Sequence, residues 1–598
     1  MPSPTTPLVV ITSTRAVLTH PDDSLFLTPA TISINPETGK IASVTSSVLP
    51  SSAFPEGTVY VDHSPKLLLP GLVDAHVHLN EPGRTEWEGF DTGTKAAASG
   101  GVTTVIDMPL NAIPPTTTVQ GFQEKLAAAE GQCWVDVGFY GGVIPGNADQ
   151  LLPLVEMGVR GFKGFLIESG VDEFPCISST DVELAMSTLK DTHTTLMFHA
   201  EMLPPITDSV GDAVQVSEPP LAPHGMLSEY QTFLQSRPPA FETYAVSEIL
   251  ALASVCPNLH LHIVHLSAIE CIPMLREARA KGINITAETC FHYLALAAEE
   301  VEKGDTRHKC CPPIRGKTNQ DILWSELAAE DSCIRTVVSD HSPCTPELKL
   351  LPDHLAPREP HLPHSDSGVD VSGPAATIDD IIDDSKTVPL TGDFFAAWGG
   401  ISSVGMGLPI LYTEAERRRE MGEQAPGILD MVRLCCQETS KQVGLSHKKG
   451  ALKAGWDADI CVFDDAMGWS LTPGDMRWKN RCSPWEGKQF RGRVVQTWLR
   501  GGKVKFWRLI FAPIPSGEPS TLHDGMIRIG AISGDGRNSN PALIPAGDWT
   551  NLPYMHVYFS DPGQFVSEKQ NATTLEMGKM ERPHCQRCFW IKVLGFPS

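Results

Sequence analysis

Short apolar runs separated by turn residues open the chain. Val9-Val10-Ile11-Thr12, Ala30-Thr31-Ile32-Ser33-Ile34 and Ile41-Ala42-Ser43-Val44 have the composition of strands, and Asn35 to Lys40, with Pro36 and Gly39, reads as a hairpin turn. Residues 1–70 are therefore expected to form part of a small β module. Over residues 71–444 the pattern changes to short apolar strands alternating with longer segments of helical spacing, which is the signature of a parallel α/β fold. The candidate strands are Gly71–Ala75, Val102–Met108, Val135–Phe139, Gly161–Phe165, Thr195–His199, His260–His265, Ile283–Ala287 and Thr336–Val338. Eight is the number that closes a barrel. Phe122–Glu130 and Cys271–Lys281 show apolar positions at helical spacing between them.

Four stretches depart from this pattern. Glu201–Glu242 is rich in proline and is expected to be a loop over the strand ends. Residues 346–391 are dominated by Pro, His, Ser and Asp and read as an acidic insertion without regular structure. Residues 445–506 return to β character from Lys449 onward, so they are expected to complete the N-terminal module as a small β-sandwich. The fold class predicted is α/β, a TIM-type (β/α)8 barrel with that sandwich attached. Residues 507–598, with Gly, Ser, Pro and Asn dominating 516–545, read as a tail of little order.

Bulk composition narrows the setting. The 598 residues are 41% hydrophobic and 20% charged, ordinary values for a globular chain. A net charge of −24 opposes nucleic acid and anionic membrane as partners, since both demand clustered Lys and Arg. No apolar run reaches the roughly 18 residues that span a bilayer, and the first residues lack a basic stretch backed by an apolar one. The expected location is the cytoplasm. The 15 cysteines are scattered, with adjacent pairs at Cys310-Cys311 and Cys435-Cys436, as expected of reduced thiols. In that setting the sequon at Asn571 carries no glycan. Cys585-Gln586-Arg587-Cys588 has no second pair to complete a zinc site, and it is given no function.

The chemistry gathers at strand ends. His76 and His78 stand one residue apart, so in a strand they face the same way, with Val77 turned into the packing behind. Alone, such a pair is better explained as an ordinary polar strand end. Lys163 closes the fourth strand, His199 the fifth and His265 the sixth, and Asp340 follows the last. In barrels of this type the C-terminal strand ends carry function. Imidazole and carboxylate ligands at successive ends point to a divalent metal centre.

These residues and their spacing resemble the cyclic amidohydrolases of the metal-dependent amidohydrolase superfamily, which include dihydroorotases, hydantoinases and allantoinases. The similarity runs from about Val9 to Lys505, apart from the acidic insertion. His78 to Phe90, Met108 to Asn111, Cys311 to Arg315, Ser339 to Cys344 and Ala397 to Ile401 look like the allantoinases in particular. The resemblance implies a binuclear centre. His76, His78 and Asp340 would hold the more buried ion, His199 and His265 the more exposed one, and Lys163, converted by carbon dioxide to a carbamate, would bridge them. Zinc suits the set, as do cobalt, manganese and iron. A hydroxide shared by the ions would attack the ring amide of allantoin, with Asp340 as general base and then general acid, to give allantoate.

Substrate choice rests on fewer positions. Dihydroorotases carry an arginine for the ring carboxylate where this chain has Asn80. Hydantoinases usually place a tyrosine shortly after the bridging lysine, where this chain reads Gly164-Phe165-Leu166-Ile167. Asn111, the backbone around Thr289 and Pro313, and Gly400 are the candidates for ureide recognition, Asn111 being equally readable as a turn residue. Asp74 and Arg84 are taken as supporting residues. The alternatives are a hydantoinase or dihydropyrimidinase, and a non-catalytic scaffold of the same fold. Such scaffolds usually lose metal ligands, and all six are present here. The family also implies a homo-oligomer, often a tetramer.

Overall fold

The computed structural model describes residues 7–204, 223–355 and 391–504, together with two strands near the C-terminus. The chain divides into two compact units, Met1–Val504 and Lys505–Ser598.

The first unit begins with β1 (Val9–Thr19), β2 (Leu25–Asn35), β3 (Lys40–Thr45), β4 (Val59–Asp62) and β5 (Leu67–Pro70). Strand β1 pairs in antiparallel fashion with β2 along its length, but changes its other neighbour midway. Val9–Thr12 run parallel to β4 and Arg15–Ala16 parallel to β5, across an irregularity between Ser13 and Ala16. Strands β15 (Ile460–Ser470), β16 (Gln489–Leu499) and β17 (Gly502–Lys503) complete the sheet in the order β17-β16-β15-β5-β1-β2-β3. Ile11, Leu18, Ile32, Ile34 and Leu68 from the N-terminal strands pack against Leu452, Ile460, Val462 and Trp498. At roughly 1.5–3 kcal/mol for each large apolar side chain removed from water, that shared core is what brings the two segments together.

Gly71 leads from β5 straight into the barrel. A Cβ there would fall 2.2 Å from the Thr103 hydroxyl, so the crossing accepts only glycine. Strands β6 (Leu72–Val77), β7 (Val102–Asp107) and β8 (Asp136–Phe139) form one parallel run. Strands β9 (Gly141–Gly142), β10 (Phe162–Phe165), β11 (Thr195–His199), β12 (His260–Ile263), β13 (Ile285–Cys290) and β14 (Ile334–Val338) form the other. β8 and β9 are halves of one strand broken at Tyr140, which makes eight staves. The seam closes by a parallel bridge between Val77 and His341 and by the His78 amide donating to the His341 carbonyl at 2.7 Å. Asp74 adds a strut across it, accepting from the Ser339 amide at 3.2 Å. The fold is a (β/α)8 barrel carrying a β-sandwich.

Each stave is followed by a helix, from Phe90–Ser99 after the first to Gly407–Glu420 after the eighth. Local sequence sets their ends. In Ser179–Leu189, for example, Ser178 accepts from the Asp181 amide while Asp181 accepts from that of Ser178, satisfying two otherwise orphaned donors. Among the described residues, no helix is long and apolar enough to cross a membrane.

Two expectations need correction. Glu201–Glu242 is not all loop, because Tyr230–Gln235 is helical and Pro239–Leu252 begins within it. Tyr230 and Phe233 pack on Phe394, and that aromatic cluster supplies the burial that orders the segment. The start of the proposed insertion is also structured. Lys349 is buried and reaches the carbonyls of Trp398 and Gly400, so the first four residues of that stretch, the helical turn Pro346–Lys349, belong to the ordered barrel mouth. Residues 356–390 lie outside the described residues, as do Asn571 and Cys585–Cys588. In the second unit, Leu575–Lys579 and Phe589–Val593 pair as an antiparallel hairpin within the stretch expected to have little order.

Sandwich and barrel are joined by a buried cation. The Lys449 ammonium lies 2.5 Å from Asp136 at the start of β8, 3.0 Å from Asp457 and 2.6 Å from Asp459. Burial lowers its pKa, but Asp459 and Asp136 outweigh that and raise it above the usual lysine value. The three aspartates thus hold an amine where their spacing could suggest an ion. Replacing Lys449 by Met leaves the buried Asp459 without a cation, although Lys40 still pairs with Asp457 and Arg500 with Asp136, a loss of roughly 3–5 kcal/mol. A thermal unfolding midpoint several degrees below wild type is expected, and an unchanged midpoint would count against this joint.

Candidate metal centre

At the C-terminal end of the staves the structure brings together all six side chains picked out by strand position. His76 is in β6 and His78 just beyond it, Lys163 in β10, His199 closes β11, His265 follows β12 by two residues and Asp340 follows β14 by two. All six are buried, Asp340 being the most open at 8% exposure. Asp340 Oδ1 lies 3.1 Å from His76 Nε2 and 3.5 Å from His78 Nε2. Lys163 Nζ lies 3.1 Å from the same His76 nitrogen. A second face is formed by His199 Nδ1 and His265 Nε2, 3.0 Å apart. The rings of His76 and His265, with centroids 5.5 Å apart, link the two faces.

His265 and Asp340 both adopt left-handed backbone conformations, with φ of 38° and 43°. Non-glycine residues take that region at a cost, and here it turns each side chain inward off the end of its stave. The loop after His265 is clamped to hold the turn. Glu242 accepts from the amides of Ser267 and Ala268, both at 3.0 Å, and is itself paired with Arg315 at 2.7 Å.

Burial dominates the electrostatics. It lowers the His78 imidazole to about 3 and His265 well below its ordinary value, so both rings are neutral with a free lone pair. It brings the Lys163 amine down to about 8, despite the opposing pull of Asp340 and Glu288. Asp340 behaves differently. Burial alone would raise its carboxyl, but the charge and hydrogen bonds of His76 and the bond to His78 hold it well below the carboxylate range.

Two carboxylates that the strand-end pattern did not point to set the proton positions. Glu288, fully buried in β13, approaches His76 Nδ1 at 2.5 Å and His262 Nε2 at 3.1 Å. Glu201 approaches His199 Nε2 at 2.8 Å and accepts from Arg237 at 2.7 Å. Burial would raise both acids, yet cationic and hydrogen-bonding neighbours hold each at about 2: His76 and His262 for Glu288, Arg237 and His199 for Glu201. An anionic oxygen at one ring nitrogen requires the proton there, leaving the other nitrogen as a lone pair. In their neutral forms His76 therefore offers Nε2 and His199 offers Nδ1. Burial lowers the His76 pKa, but Asp340 and Glu288 outweigh it and raise that pKa while no cation competes for the ring. The signal for Glu288 was in the sequence: an acid amid Ile285-Thr286-Ala287, in a strand otherwise buried. His260-Leu261-His262, a second H-x-H, was another.

The residues expected to recognise substrate have structural engagements. Asn111, with φ of 69°, sets its amide nitrogen 3.4 Å from His78 Nδ1. The Thr289 hydroxyl donates to the Leu266 carbonyl at 2.9 Å, and the Pro313 carbonyl accepts from Ser267 at 2.8 Å, so both brace the loop after His265. Gly400 packs so closely that a Cβ would meet the Ser342 carbonyl at 2.2 Å. Arg84 donates to the Asn111 carbonyl at 2.9 Å, while Asp74 holds the seam. The Asn80 side-chain nitrogen donates to the Pro343 carbonyl at 3.3 Å, and its side-chain oxygen Oδ1 is buried without a partner among the described residues. Phe165 stacks on the His199 ring with centroids 4.5 Å apart, presenting carbon to the site.

Comparison with known proteins agrees with this architecture. Residues 67–215 match the model of the Amidohydrolase family. The allantoinase of Saccharomyces cerevisiae is 45% identical over 506 residues, covering 83% of this chain and 95% of the yeast protein. That of Streptomyces avermitilis is 40% identical over 477 residues, covering 80% and 92%. Among solved structures, the L-hydantoinase (dihydropyrimidinase) of Arthrobacter aurescens superimposes with a TM-score of 0.66 at 23% identity, covering 83% of this chain and 95% of that one. The dihydropyrimidinase of Brevibacillus agri gives 0.63 at 23% identity, with 83% and 94% covered. At that identity these likenesses speak for the fold, while the sequence relatives speak for the family. The chain belongs to the allantoinase family of amidohydrolases.

Proposed function

We propose that the chain hydrolyses the five-membered ring amide of allantoin to give allantoate, at a centre of two divalent cations. The observation that carries the reading is the pairing of lone-pair faces at the barrel mouth, in a chain so close to the yeast allantoinase. Two imidazoles and a carboxylate offer ligand atoms within 4.8 Å of one another at His76, His78 and Asp340. With His199 Nε2 committed to Glu201, its Nδ1 turns a lone pair toward His265 Nε2, an arrangement that a cation between them satisfies. The donor chemistry thus fits one ion at each face.

Lys163 stands beside the first face. With its amine lowered to about 8, a fraction is neutral at physiological pH. A neutral amine adds to carbon dioxide, forming an N–C bond and releasing a proton, and becomes an anion with two oxygens. So modified, Lys163 would serve both ions. Zinc, or cobalt, manganese or iron on the same donors, would supply a hydroxide nucleophile at neutral pH and polarise the ring carbonyl. Asp340 handles the proton: its ionised oxygen beside His76 and His78 receives it, then delivers it to the ring nitrogen that departs. Glu288 and Glu201 keep His76 and His199 in the tautomers that face inward. Phe165 and the buried walls keep bulk water from the reacting carbonyl.

The deciding experiment pairs metal quantitation with rates on allantoin, hydantoin and dihydrouracil. Preference for allantoin with about two ions per chain is expected. Preference for either other ring, or a metal-free active protein, ends the proposal. Lys163→Ala should abolish hydrolysis, with partial recovery when a short-chain carboxylic acid is supplied to fill the bridge. Wild-type rates in that variant would remove the carbamate from the account. Glu288→Gln should weaken metal binding by roughly 10–100-fold in competition with a chelator, and unaltered affinity would show that the carboxylate does not orient His76.

A further inference from the structure

His292 stands at the barrel mouth without a role in the chemistry above. It follows β13 by two residues, within the short helix Phe291–Ala295, at the same end of the barrel as the six candidate ligands. Its exposure is 1%, and neither Nδ1 nor Nε2 has a hydrogen-bond partner among the described residues. By contrast, His76 and His199 each meet a carboxylate. An imidazole carries a donor and an acceptor, and leaving each buried and unmet costs roughly 1–3 kcal/mol. Native interiors keep such a ring where something other than the protein meets it.

The surroundings indicate what does. One ligand atom from each of Cys290, His292 and Asp340 lies within 4.8 Å of the others, yet His292 and Asp340 form no hydrogen bond. Two hydrogen bonds of about 2.8 Å sharing one central atom span such a gap. The atom between them then belongs to whatever ring is held where Asp340 delivers its proton. A further cation there would have to share Asp340 with the first face.

We propose that His292 contacts substrate: one ring nitrogen hydrogen-bonds the cyclic amide next to the Asp340 carboxylate, selecting rings with a polar atom at that position. This rests on the hydrolase reading given above. The test is His292→Phe in the metal-loaded enzyme, with rates on allantoin, hydantoin and dihydrouracil, metal content and thermal midpoint. The ring that the wild type opens fastest serves for the comparison, so an error in substrate shows in the wild type and an error about His292 shows in the variant. The variant should keep its metal and a midpoint no lower than wild type, because it loses no protein hydrogen bond, while kcat/KM falls at least tenfold. His292→Gln, which restores a donor, should recover part of the loss. A kcat/KM within twofold of wild type, or a fall accompanied by loss of metal, would overturn the proposal. If the phenylalanine variant does not fold, His292→Leu is judged by the same outcomes.

Discussion

A buried imidazole can present a lone pair in a chosen direction only if its other nitrogen carries a proton that a fixed acceptor holds. The barrel mouth is built around that constraint. Glu288 from β13 reaches His76 and His262, and the His265 amide also lies 3.4 Å from one of its oxygens, so a single carboxylate ties three staves. Glu201 does the same for His199 and is locked by Arg237. Both acids are held near 2, so they stay ionised at neutral pH and keep a proton on the ring nitrogen that faces them. Without these two anions the rings would be free to turn, and the two lone-pair faces would dissolve into ordinary interior histidines.

Backbone geometry supplies the second half of the arrangement. Strand alternation alone aims His76 inward, but His265 and Asp340 lie past the ends of their staves and are aimed by left-handed turns. Such turns persist only where neighbours hold them. At His265 the restraint comes from Glu242 and Arg315, together with the Thr289 hydroxyl and the Pro313 carbonyl. At Asp340 it comes from the seam, where Asp74 and His341 bind β14 to β6. The closing of the barrel and the placing of the proton-handling carboxylate are therefore one event. Lys449 extends that coupling outward, since its three aspartates belong to both the barrel and the sandwich.

Much of this was determined by the amino-acid sequence itself. Apolar runs and their spacing define strands and helices locally, because burial of a face depends on period alone, and the eight staves fall where the pattern puts them. The ends of those staves carry His76, His78, Lys163, His199, His265 and Asp340, and a residue type at a strand end is visible without coordinates. What the tertiary structure decided is which distant groups meet. Glu288 lies 212 residues from His76 and Lys449 lies 313 from Asp136, and nothing local in either neighbourhood names the partner. The prolines of Glu201–Glu242 suggested a loop, but packing of Tyr230 and Phe233 on Phe394 outweighed local propensity and made helix there. His292 is the sharpest case. Its position at a stave's end is plain in the sequence, whereas the absence, among the described residues, of a partner for its two nitrogens is a property of the closed interior, where hydrogen bonding must be satisfied across the whole fold.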